Sequence, residues 1–322
     1  MPDFDVCVVG EINLDLILYG LPKELVLDRE HLASGLAVTL GSSSAIFAHN
    51  LAMLGSKVGF VGKIGGDALG KMAVERLAAA GVDVSRVKTV TERTATGLTV
   101  VLPYLRQRYI LTFPGIMFEL EYSDIDMGRV RAARHLHISS FFLHRALRKR
   151  IVDLFRQAKE AGLTTSLDTN DDPENKWDGD LLEVLKHVDI FLPNDREAKK
   201  IAHTEDLSQA INLLAGLAKV VVVKRGSAAA ICRSGQQQYS LMPPSVKPVD
   251  DVGAGDSFDA GFIHKFTAGA SLEDCLAFAN LAGAYSTTKE GGTEAFRDRI
   301  ALSSFMRQKG ETVGRDKPPL KG

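Results

Sequence analysis

Short apolar runs rich in Val and Ile recur along the chain at 5–9, 58–61, 135–138, 164–167, 190–192 and 220–223. Longer stretches of helical spacing separate them, at 44–54, 70–80, 145–161, 180–187, 195–202, 207–217, 255–268 and 272–289. That rhythm predicts a mostly parallel central sheet with helices on both faces, a three-layer α/β fold. In such sheets ligands gather at the carboxyl ends of the strands. Asn13, the 62–67 turn, 168–170, Asn194 and Gly226 each follow an apolar run closely.

Two stretches break the rhythm, 12–40 and 94–114. In the second, 96–102 and 108–113 flank a polar turn, and both stretches read as strands of a small accessory sheet. Such a lid could close over a substrate and exclude water. An edge hairpin with no gating role would look the same. Without internal repeats, low-complexity linkers or a clean boundary, 1–311 reads as one domain, and 312–322 reads as a disordered tail.

At 322 residues, 45% hydrophobic, a sizeable core is available. A formal net charge of −1 without long single-sign runs argues against a nucleic-acid surface and for a small substrate. The basic cluster at 145–150 reads as an exposed helix face. Cys7, Cys232 and Cys275 are odd in number and lack metal-ligand spacing, so buried free thiols and a reducing cytoplasm are expected. No signal peptide or membrane span is expected, since the N-terminus lacks a basic region with a long apolar stretch and no later segment offers about 18 uninterrupted apolar residues.

The densest chemistry lies at 250–262, Asp-Asp-Val-Gly-Ala-Gly-Asp-Ser-Phe-Asp-Ala-Gly-Phe. Gly253, Ala254 and Gly255 leave backbone amides open where a helix begins, and a helix start binds anions. Asp256 would stand beside the bound anion. A carboxylate there repels phosphate but can take a proton from a hydroxyl attacking it. The alternative is a Gly-Ala-Gly run that merely lets a helix pack closely on the sheet. No Gly-x-x-x-x-Gly-Lys-Ser/Thr or complete Gly-x-Gly-x-x-Gly is present, which argues against a P-loop or dinucleotide fold.

With these motifs in order, the chain resembles the PfkB carbohydrate kinases, the ribokinase-like family, over nearly its whole length. Gly10-Glu11-Ile12-Asn13-Leu14-Asp15 is similar to the first substrate loop, in which Asn13 and Asp15 would contact sugar hydroxyls. The segment 41–48, beginning Gly41-Ser42, is similar to Gly-Gly-x-x-Ala-Asn-x-Ala, with Ser42 in place of the second Gly and Ile46 in place of the Asn. Gly65-Gly66-Asp67-Ala68-Leu69-Gly70 resembles a structural turn of the family.

Asn194 and Glu197 match Asn-x-x-Glu. The resemblance implies that Glu197 acts on Mg²⁺ through water and that Asn194 lies near the nucleotide phosphates. A helix cap with its capping-box partner explains the same spacing, and the two roles can coexist. Lys224 and Gly226 resemble the strand end beneath the nucleotide, and Asn280 a position near adenine. Carbonyls of Asp250 and Val252 match those around a monovalent cation such as K⁺. Asp168-Thr169-Asn170 with Trp177 resembles a stretch of certain sugar-acid kinases, but Asp172 replaces its Arg, which makes an acidic sugar less attractive.

The resemblance thus implies a ribokinase-like fold with a β lid. It implies Mg-ATP-dependent transfer to a sugar hydroxyl, a primary one being favoured, with Asp256 as base and Gly253–Gly255 as anion hole. A nucleoside kinase is the alternative, because Ile46 and Phe47 make the sugar end less polar, and a sensor that binds without turnover is a third reading. The resemblance further implies that the lid can pair two copies into a homodimer, as lids in relatives often do; the β-rich edge here would permit it, but an apolar lid face packed within one chain would look the same.

Overall fold

A computed structural model describes residues 2–92, 94–104, 107–178 and 180–315, with side chains through 310. A nine-stranded sheet has the order β13-β12-β11-β10-β9-β8-β1-β4-β5. Its strands are β1 (Phe4–Val9), β4 (Val58–Gly65), β5 (Asp83–Val90), β8 (Ala133–Ile138), β9 (Thr164–Leu167), β10 (Ile190–Phe191), β11 (Val220–Val223), β12 (Ala230–Ser234) and β13 (Gln237–Leu241). Strands from β5 across to β11 run parallel, and β12 and β13 add antiparallel at one edge.

All six runs expected as strands lie in this sheet, and the reason they are apolar throughout is visible at Val220–Val223. Val221 and Val223 face one core and Val220 and Val222 the other. Helices α4 (Ile151–Glu160), α5 (Leu181–Leu185), α6 (Asp195–Ile201) and α7 (Leu207–Ala215) cover the first face. The opposite face is covered by α1 (Ser43–Met53), α2 (Ala68–Ala80), α8 (Ala254–Thr267) and α9 (Leu272–Ser286). Short α3 (Met127–Arg131) precedes β8, and α10 (Arg299–Arg315) packs on α9.

The four-stranded second sheet, in the order β3-β2-β6-β7, is made of β2 (Asn13–Tyr19), β3 (Gly35–Gly41), β6 (Gly97–Tyr104) and β7 (Gln107–Phe113). Both segments that broke the apolar rhythm therefore form strands, although the turn at 105–106 lies outside the described residues. Odd-numbered residues of β2 share one face, so Asn13, Asp15, Ile17 and Tyr19 all point the same way. Ile17 packs with Val101 and Val252, which seats that face on the chain just before α8.

Several expectations needed correction. The helix expected over 145–161 starts only at Ile151, after a 3₁₀ turn at Arg148–Arg150. Its first residues are mostly exposed, as expected, but not α-helical, and two of them also stack on aromatic rings, Arg145 over Phe118 and Arg150 over Tyr122. Helix α9 stops at Ser286, short of 289. β5, β12, β13 and α10 had no counterpart in the sequence reading. α10 runs to Arg315 across the start of the expected tail, and 316–322 lie outside the described residues. Asp67 accepts from Gly70 N–H and Thr96 N–H, both at 2.8 Å, so the 65–70 turn has the structural role expected of it. All three cysteines are buried and free, and burial pushes each thiol up to about 12. No helix among the described residues is long and apolar enough to cross a membrane.

Candidate active site

The start of α8 is built for close approach. Gly253 has φ 70°, a left-handed conformation that a side chain disfavours, and a Cβ there would lie 2.6 Å from Gly292 Cα. Ser257 closes the turn by donating both its N–H (2.9 Å) and its hydroxyl (2.7 Å) to Gly253 O. The Ala254 N–H makes a long 3.3 Å bond to Asp251 O. No described residue accepts from the N–H of Gly253, Gly255 or Asp256, so these amides are left open at the positive end of a helix.

Asp256 is buried in the first turn of this helix. Burial, then the neighbouring Asp168 carboxylate, raises its pKa to about 6, against the opposing pull of Lys224 and a hydrogen bond from Ser43. Lys224, one residue past β11, reaches in under Gly255. Its Nζ donates to Asp168 Oδ2 at 2.7 Å and Asp259 Oδ2 at 2.9 Å, and these carboxylates hold it charged against the cost of burial. Asp259 Oδ1 has no partner, and burial drives its carboxyl well above the ordinary range.

Asn194 sits beside Lys224 through a parallel bridge and caps α6. Its side-chain oxygen accepts from Glu197 N–H at 2.9 Å, while Glu197 accepts from Asn194 N–H at 2.9 Å and from the Asn194 side-chain amide. The capping box is therefore formed. Glu197 is itself buried, and burial followed by Asp168 raises its pKa to about 7.

Across the cleft, Gly41 lies opposite Asn13 on β3, where a Cβ would collide with Asp15 Oδ1 (2.1 Å) and Asn13 Oδ1 (2.6 Å). Asn13 Nδ2 donates to Thr99 Oγ1 at 3.0 Å, leaving its Oδ1 buried without a partner. Asp15 is pushed up to about 7, first by burial and then by Asp256, which places the two carboxyls in one electrostatic neighbourhood. Ser42 takes φ 68° and donates its hydroxyl to Glu11 O at 2.6 Å.

Ile46 is wedged against Gly253 and Gly292, and Phe47 stacks on His137 at 3.7 Å between ring centres. Asp172, in the place of an Arg, organises its own loop by accepting from the N–H groups of Glu174, Lys176 and Trp177.

Of the residues singled out from the sequence, Gly253, Ala254, Gly255, Asp256, Lys224, Asn194 and Glu197 form one cluster, with Asn13, Asp15, Gly41 and Ser42 on its lid side. Asn280 stands apart, donating its amide to Leu241 O at 2.9 Å, and Gly226 turns the chain after β11 with φ 55°. The sequence reading overlooked Asp259, three residues after Asp256 on the same helix face, and Glu11. Glu11 accepts from Ser44 Oγ (2.7 Å) and Ser44 N–H (3.2 Å), and His144 Nε2 lies 3.3 Å away. Burial opposes its ionisation, but those partners hold the carboxyl down at about 2. The available signals were the three-residue spacing of Asp259 from Asp256 on one helix and the place of Glu11 in the same motif as Asn13 and Asp15.

Residues 3–299 match the pfkB family of carbohydrate kinases. The chain belongs to that family. It is a phosphotransferase with a carbohydrate alcohol as acceptor, and its fold is ribokinase-like. An ATP-dependent ribose-1-phosphate kinase of Halopiger xanaduensis is 30% identical over 94% of this kinase and 98% of that protein. Ribokinase of Arabidopsis thaliana, solved with ribose and ATP, superposes with TM-score 0.79 at 28% identity, over 94% of this chain and 99% of that one. Adenosine kinase of Sinorhizobium meliloti shares the fold, with TM-score 0.83 at 24% identity over 95% and 99% of the two chains.

Proposed function

We propose that this kinase transfers the γ-phosphoryl group of Mg-ATP to a hydroxyl of a small sugar, with Asp256 as the general base. The observation that carries the reading is the position of Asp256: buried in the first turn of α8 beside open amides, raised to about 6, and across the cleft from Asp15. A base near neutrality combines the ionised form with useful proton affinity. Asp256 would accept the proton of the attacking hydroxyl as the new O–P bond forms and the bond to the ADP oxygen breaks. Gly253–Gly255 would stabilise charge on the transferring group through their amides. A primary hydroxyl, being the least hindered, is the favoured acceptor.

Asn13, Asp15, Gly41 and Ser42 would hold the sugar. The orphaned Asn13 Oδ1 lacks the partner that a sugar hydroxyl would supply, and the raised Asp15 carboxyl stands on the same strand face. Asn194, Lys224, Gly226 and Asn280 would line the nucleotide side.

Both oxygens of Glu197 are already engaged by Asn194, so Glu197 suits a Mg²⁺ held through water, with phosphates as the direct ligands. Bound there, the cation would neutralise phosphate charge and restore the ionised form of Glu197. No described residue donates to the carbonyl oxygens of Asp250 or Val252, which fits a monovalent cation such as K⁺ behind the anion loop. The free cysteines support a reducing compartment.

The test is ADP release from Mg-ATP across ribose, ribose 1-phosphate, fructose, other hexoses, keto-sugar acids, adenosine and cytidine, with Asp256→Asn as the blank. Acceptor-dependent release that disappears in the variant supports the assignment. Full turnover in the variant would remove Asp256 from its role.

A further inference from the structure

The lid strand that carries the sugar contacts also carries a residue tied to the phosphate loop. On β2, Asn13 and Asp15 face the cleft, Ile17 packs on Val252, and Tyr19, next on the same face, donates its hydroxyl to Asp250 Oδ2 at 2.6 Å. The same carboxylate accepts from Gly291 N–H at 2.9 Å and Val252 N–H at 3.0 Å. Gly291 and Gly292 form the turn against which Gly253 is packed. One carboxylate thus joins the lid, the entry to the anion loop and the turn supporting it.

The adjacent strand adds a second contact. Thr39, opposite Asp15 on β3, lies against Gly291 and donates to Glu294 Oε1 at 3.0 Å. Outside these, Arg108 of β7 pairs with Asp251, whose side chain is 77% exposed, so that pair is screened and worth little. The Tyr19 bond is different in kind, being half-buried, short and made to a charged acceptor.

Resting on the reading of Gly253–Gly255 as the anion hole, we propose that Tyr19 is a positioning residue that couples the sugar strand to the anion loop through Asp250. A strand can move as a unit, so displacement at Asn13 and Asp15 reaches Asp250 through Tyr19 without help from side chains in the cleft. Breaking the link leaves the sugar contacts in place and lets the loop at 250–256 open more often. A hydrogen bond to a charged group is worth roughly a 10- to 100-fold change in an equilibrium.

The experiment compares wild type with Tyr19→Phe, which keeps the ring packed beside Val252 and removes only the hydroxyl. Amide hydrogen exchange is followed with and without Mg²⁺ and the β,γ-imido analogue of ATP, together with the affinity for that analogue and the melting temperature. The expected result is exchange at the bonded amides of Asp250, Val252 and Gly291 faster by about tenfold or more and analogue affinity weaker by a similar factor, with the melting temperature lowered by only about 2 °C. Unaltered exchange at those three amides, or an analogue affinity equal to that of wild type, would overturn the proposal. The nucleotide-free exchange reads the link whether or not the analogue binds, so failure of the kinase reading shows as absent binding in wild type and is distinguishable.

Discussion

Lys224 gives the sharpest test of how the site is held together. Among the described residues its ammonium is the sole cation bonded to Asp168 and Asp259, at 2.7 and 2.9 Å, and both carboxylates are 1% exposed. Lys224→Met keeps the stem and removes the charge, leaving two buried carboxylates facing each other. Breaking a buried pair by deleting one partner costs about 3–5 kcal/mol. With an unfolding entropy of about 2.1 cal/mol/K per residue over this length, that loss lowers the melting temperature by roughly 4–7 °C. The deficit shrinks as pH falls, because the Asp259 carboxyl, driven well above the ordinary range by burial, takes up a proton and relieves the repulsion, so the variant's folded state then binds more protons than wild type. Lys224 also holds the Asp256 pKa down, so the acid limb of the pH–rate profile moves to higher pH in the variant. Denaturation melts at several pH values and kcat/KM against pH measure both effects. A melting temperature unchanged at pH 8 with an unmoved acid limb would show that the triad neither supports the fold nor tunes the base.

Other expectations follow from the same geometry. Asp256→Asn lowers kcat by roughly 10²- to 10⁴-fold while the analogue of Mg-ATP still binds, and in wild type kcat/KM falls about tenfold per pH unit below about 6; a flat profile between pH 7 and 5 refutes the role of base. His135 bonds Thr164 at 2.7 Å and Ser166 at 2.6 Å, and burial lowers its pKa to about 3. Its contribution is present above its unfolded value near 6.5 and lost as pH falls below it, so the stability deficit of His135→Gln narrows by about 1.4 kcal/mol per pH unit below 6 in denaturant titrations. A constant deficit contradicts the neutral, buried histidine. The lid edge β7 exposes Tyr109, Ile110, Leu111 and Phe113, each more than half open, and a second copy pairing there would cover them. Sedimentation should then show a dimer that Ile110→Asp converts to monomer; a wild-type monomer at every concentration excludes it.

What could be read from the sequence, and what could not, divides by how far the relevant information is spread along the chain. The parallel strands were legible because a strand buried on both faces writes its environment into adjacent residues, as Val220–Val223 does. β5 was not, since its pattern of half-buried and exposed residues, from Asp83 to Val90, reflects an edge with one covered face. The hairpin of β12 and β13 escaped for a related reason: its outer strand carries Gln237, Gln238 and Ser240 toward solvent, and only pairing with β11 makes it part of the sheet.

The site divides in the same way. An anion loop is local, with glycines, helix start and carboxylate all falling between Gly253 and Asp256. The groups that set its electrostatics are not. Lys224 meets Asp168 and Asp259 across 56 and 35 residues, and Tyr19 meets Asp250 across 231. Each of these residues has an ordinary local explanation, a charge after a strand or an aromatic on a lid. Only the crossing of β11, α8 and β2 at one end of the sheet turns them into a charged triad beneath the loop and a link from the lid above it. The chemistry proposed for Asp256 therefore depends on two layers: amides supplied by a short motif, and a pKa and an order supplied by partners that the motif does not contain.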